Sequence, residues 1–104
     1  MLNLLRRTGR GLAPEVVADG WRPGEDIIWI DLVSPTPEEE RAVEQAYGID
    51  LPTREEIAHV EPSSRLYQED GATFLTATLP ARADEPHPVA APVTFVLLAD
   101  LLIT

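Results

Sequence analysis

Cysteine and lysine are both missing from this 104-residue chain, and the single methionine is Met1. Without cysteine there is no disulfide and no thiolate metal site, and the composition fits a reducing compartment. Without lysine, all 8 basic residues are arginine, set against 18 Asp and Glu for a formal net charge of −10. A surface of that sign repels phosphate backbones, which argues against nucleic acid as a partner and favours cations or basic peptides. Long apolar runs are lacking too. The most apolar segment, Val93 to Thr104, is interrupted by Asp100 and is too short to cross a bilayer as a helix. No signal-peptide core follows the charged stretch Met1 to Arg10. The length fits one domain, 1–104, and its apolar end at Leu101-Leu102-Ile103-Thr104 reads as a segment of something longer.

The chain is organised around Ile27-Ile28-Trp29-Ile30-Asp31-Leu32. All but Asp31 are apolar, and β-branched or aromatic residues dominate, which predicts a strand over Ile27 to Val33 covered on both faces. A sharply marked helix start follows. Thr36 with Glu39 three positions on forms a capping box, and Pro37 stands at the first helical position. Helix one is expected from Pro37 to Tyr47, with Gly48 just past its end and Val43, Ala46 and Tyr47 facing inward. Glu38, Glu39 and Glu40 fall in the first turn, where the helix dipole favours negative charge.

Upstream, Leu2 to Leu5 reads as a short edge strand and Arg6 to Gly11 as a basic turn. Leu12 to Val17 reads as a second short strand broken by Pro14, and Ala18 to Asp26 as a loop with Trp21 tucked against the domain. Downstream, Thr53-Arg54-Glu55-Glu56 is a second capping box. It predicts a helix from Arg54 to Val60, or from one turn earlier at Pro52, stopped by Pro62. Asp70-Gly71 between Ser64–Glu69 and Ala72–Leu79 marks a hairpin. Ala81 to Ala91 holds Pro86 and Pro88 and reads as a mobile loop. Val93 to Leu98 and Leu101 to Thr104 close the chain as paired strands turning near Ala99-Asp100. The order predicts an α/β (α+β) fold: a mixed, largely antiparallel sheet with two short helices on one face.

Catalytic patterns are thin. His59 sits near a helix end and His87 between two prolines, with no nucleophile beside either. Thr8-Gly9-Arg10-Gly11 lacks the strand–loop–helix setting and the lysine of a phosphate loop. The chain therefore does not read as an enzyme. The acidic clusters remain. Glu55 and Glu56 have two readings: Glu56 as the cap's own partner and Glu55 as a surface charge, or the pair as ligands for a hard cation. A metal-dependent enzyme built on that pair is a third reading, but no second base or binding loop converges with it.

From Trp29 to Thr104 the sequence resembles the cytoplasmic N-terminal domain of the CorA family of magnesium and divalent-cation transporters. The resemblance is carried by Trp29-Ile30-Asp31-Leu32 with Pro35 and Glu38-Glu39, then Tyr47-Gly48-Ile49, Pro52 and Glu55-Glu56-Ile57. It continues through Arg65, Tyr67 and Gly71 to the paired apolar strands at the end. It implies a sheet sandwiched between helices (α/β/α) in a homopentameric cytoplasmic funnel, with the full-length protein in the inner membrane. It also implies a regulatory Mg²⁺ site between subunits, to which Glu55 and Glu56 contribute. The family's Gly-Met-Asn pore motif is absent from these residues, so the resemblance assigns them sensing rather than conduction. A free-standing acidic interaction module, binding a partner through an uncovered sheet face, is the alternative.

Overall fold

The computed structural model describes residues 1–17, 21, 23–59, 61, 65–82 and 84–104. Seven strands and two helices follow in the order β1 (Leu2–Thr8), β2 (Gly11–Val17), β3 (Ile27–Leu32), α1 (Pro37–Tyr47), α2 (Arg54–Ala58), β4 (Leu66–Glu69), β5 (Ala72–Ala81), β6 (Val89–Leu98) and β7 (Leu101–Ile103). They form one mixed sheet of order β2-β1-β3-β7-β6-β5-β4. Only β3 and β7 run parallel among the described pairs, joined by the long excursion through both helices and the β4–β5–β6 meander. This is the α+β layout that the order of elements predicts.

Alternation sets the inner face. Leu4, Ile30 and Ile103 lie side by side through the register Leu4↔Ile30↔Ile103, and Val96 and Phe74 continue the row. These residues join Leu2, Ile27, Val43, Ile49 and Leu101 in one core. Helix α1 lies across it and contributes Val43, which is fully buried. Thr76 and Thr94, also buried on this face, satisfy each other through a 2.8 Å hydroxyl contact.

Several expectations change. Strand β1 is interior, not an edge, because β2 and β3 flank it and bury Leu2 and Leu4. It also runs on to Thr8, so the basic turn shrinks to Gly9-Arg10. Pro14 does not break β2, since on an edge strand a missing N–H is tolerated. The hairpin β5–β6 stays paired out to Ala81↔Val89, which shortens the expected 81–91 loop to residues 82–88. Pro80 and Pro92 fit there because β4 pairs only as far as Leu75 and β7 only with Val96 to Leu98. Helix α2 ends at Ala58. Val60, Pro62 and Ser64, on which its expected stop and the start of the next strand fall, lie outside the described residues, as do residues 18–20.

The largest correction concerns β3. Ile27 and Ile30 are buried, but Trp29 on the opposite side is 40% exposed. Both helices lie on the inner face, and no helix among the described residues covers the other. The expected two-sided cover of the sheet is therefore one-sided in this chain.

Candidate metal site at the start of the second helix

The position of Glu55 and Glu56 is built by the segment before them. Gly48 adopts φ 64° to end α1, and its N–H returns to the Glu44 carbonyl at 2.9 Å. Ile49 then plunges into the core at 5% exposure. The Glu44 carboxylate accepts the Leu51 N–H at 2.9 Å, and Leu51 packs on the core. The chain between the helices is thus held at both ends. Thr53 follows in extended geometry as the cap of α2: its hydroxyl accepts the Glu56 N–H at 3.1 Å. The Glu56 carboxylate accepts the Thr53 N–H at a long 3.4 Å, completing the box.

Both side chains are exposed. Glu56 is shared between capping and any ligand, whereas Glu55 takes no part in the cap. The neighbourhood is acidic beyond the pair. Tyr67, stacked on Phe74 with ring centres 4.8 Å apart, has its hydroxyl proton held more tightly than usual, first by burial and then by the charges of Glu69, Glu56 and Asp50. Asp50 and Glu69 were not singled out in the sequence. Each stands next to a turn, and only the return of the Asp70-Gly71 hairpin brings Glu69 toward α2.

These carboxylates are spread rather than convergent. Among the described residues no three His, Asp or Glu side chains gather closely enough to hold a metal ion. Mg²⁺ uses one or two carboxylates with retained waters, so Glu55 and Glu56 can supply part of such a shell but not a closed cage. The other acidic start is already occupied. Glu39 accepts the Thr36 N–H at 2.9 Å and the Met1 amino group at 3.1 Å. These bonds hold its carboxyl below the usual range. His59 is the exposed C-cap of α2, and His87 lies exposed in the β5–β6 turn. An open depression of about 620 Å³ lined by Arg7, Glu25, Tyr47 and Asp100 does not include the glutamate pair.

No family model matches the chain. Magnesium transport protein CorA of Wolinella succinogenes is 31% identical over 83 residues, covering 76% of this chain and 26% of that protein. The Escherichia coli K12 and Shigella flexneri proteins of the same name are each 29% identical over 83 residues, covering 80% of this chain and 26% of their own length. The chain thus spans about a quarter of the length of the curated relatives it matches. Over that span it shares a family relationship with the CorA magnesium transport proteins.

Proposed function

We propose that this domain is the cytoplasmic, ion-sensing part of a CorA-like magnesium or divalent-cation transport protein of the inner membrane. Glu55 and Glu56 form half of a regulatory Mg²⁺ site, and a neighbouring subunit of a homopentamer supplies the rest. The observation that carries this reading is the exposed carboxylate pair on a short helix start tied to the core by Ile49 and Leu51. A rigid base matters because an ion bridging two subunits can bias their arrangement only if each ligand is fixed to its own domain.

The mechanism is electrostatic. A bound Mg²⁺ offsets repulsion between acidic faces and holds subunits together. Its loss restores the repulsion of domains that each carry a formal charge of −10 and loosens the assembly. No second base or nucleophile is needed. The relatives are named for transport, which agrees with a non-catalytic role.

The test uses the transport protein that carries this domain. Glu55→Gln with Glu56→Gln is expected to raise the Mg²⁺ concentration needed to protect the assembled protein from limited proteolysis, with the fold unchanged. Protection that titrates as in the unsubstituted protein would overturn the assignment.

A further inference from the structure

The outer face of the sheet carries more apolar surface than a solitary domain of this size leaves in water. One row crosses all seven strands through the register Pro14↔Leu5↔Trp29↔Leu102↔Leu97↔Thr73↔Gln68. The next row sets Phe95 beside Leu75 and Leu66. Leu97 is 53% exposed and Leu66 64%. The polar groups near this surface are largely turned on one another: the Trp29 indole N–H donates to the Thr104 hydroxyl at 2.9 Å, which donates to Asp31 at 2.9 Å.

Charge is missing where it would be most expected. In a chain with 25% charged residues, the outward positions of β5, β6 and β7 hold no ionised side chain. They are Thr73, Leu75, Ala77 and Leu79 on β5, Ala91, Val93, Phe95 and Leu97 on β6, and Leu102 on β7. The acidic residues cluster on the helices, turns and margins instead. Two copies of a chain with net charge −10 repel each other in most orientations. Across this face they do not.

The size of the face fits. Seven strands at ~4.8 Å spacing and about five residues at ~3.3 Å rise give roughly 34 by 17 Å, or about 600 Å² in projection. The molecule measures 39 × 35 × 25 Å, so this is one whole broad side of it. A stable interface takes about 800 Å² of accessible surface from each partner, and a pleated face has more accessible area than its projection. A flat, uncharged, uniformly apolar sheet is complementary to itself. Two twisted sheets stack about 10 Å apart at roughly −30°, as the halves of a β-sandwich do.

We infer that this face is closed by a second copy of the same 104-residue chain, packed sheet on sheet about a twofold axis over β5 and β6. The inference is independent of the magnesium reading, and its test is made in EDTA to keep the two apart. Sedimentation equilibrium and light scattering of the unsubstituted chain are expected to give a discrete species of twice the 11.4 kDa mass. Leu97→Glu and, separately, Leu75→Glu are each expected to weaken association at least about a hundredfold, since each places a charge in an apolar contact. Far-UV circular dichroism reports that both variants remain folded. Gln45→Glu adds the same charge on the exposed side of α1 and is expected to leave the dimer intact. A chain that stays monomeric at several hundred micromolar would overturn the inference, as would association that survives both leucine substitutions. Protection of the Leu97 face only when the chain is extended by a further segment of a longer protein would assign the face to that segment and likewise overturn it.

Discussion

Helices α1 and α2 begin with the same grammar and end with different fates. Each has a threonine cap, a glutamate three positions on and a complete capping box. Yet α1 runs for 11 residues and α2 for 5. The difference is burial. Val43 anchors α1 in the core, while no residue of α2 is fully buried. A cap decides where a helix starts, and the apolar stripe decides whether it continues. The same difference separates their glutamates. Glu39 is held by the Thr36 N–H and the Met1 amino group, whereas Glu55 is left to solvent. One acidic start closes a structure, and the other is open for a ligand.

The sharpest way to break this contrast is to remove the anchor. Val43→Ala deletes fully buried methyls and is expected to cost about 2–3 kcal/mol by urea unfolding. Ile57→Ala on the half-buried side of α2 is expected to cost about 1 kcal/mol or less. Equal costs would mean that α2 is as well anchored as α1. Gly48→Ala comes next. A Cβ at Gly48 meets open space, so the expected loss of about 1–2 kcal/mol arises only from its φ of +64°. Similar in size, Thr36→Ala is expected to lower global stability by about 1 kcal/mol. Thr53→Ala should instead act locally, speeding amide exchange in residues 54–58 while barely moving the unfolding midpoint.

The smallest effect is a pH dependence. Folding lowers the Glu39 pKa below its ordinary value of 4.5, mainly through the Thr36 N–H and then the Met1 amino group. A depressed carboxyl contributes stability that is fully present above pH 4.5 and fades as the pH falls through the lower folded value. Glu39→Gln should therefore differ from the parent chain at neutral pH and converge with it in acid. A constant difference across that window would separate Glu39 from the acid limb.

How much of this was legible beforehand varies along the chain. Both caps, the Gly48 stop and the Asp70-Gly71 turn are local signals, each set by a few neighbouring residues, and they stand where the sequence puts them. The Trp21 expectation also holds, with its ring stacked on Tyr47 at 6.4 Å between centroids. What escaped was decided by distant neighbours. Leu2 to Leu5 looks like an edge because nothing local reveals that β2 will fold back on one side and β3 arrive on the other. The apolar run of β3 suits a strand covered twice, yet Trp29 is half open because no described element lies over it. Pro80 and Pro92 suggest a loop, and only the absence of flanking strands makes them acceptable in a ladder. For the site, Glu55 and Glu56 could be named from the cap pattern. Asp50 and Glu69 could not, because their approach to Tyr67 depends on tertiary return of the chain.

The central claim is that the glutamate pair is half of a cation site, complete only between subunits. The most direct measurement is a Mg²⁺ titration of the 104-residue chain followed by amide chemical shifts. The account predicts weak, millimolar-range perturbations confined to Thr53–Ile57 and abolished by Glu55→Gln with Glu56→Gln. Tight stoichiometric binding, or perturbations centred away from α2 and unaffected by those substitutions, would contradict it.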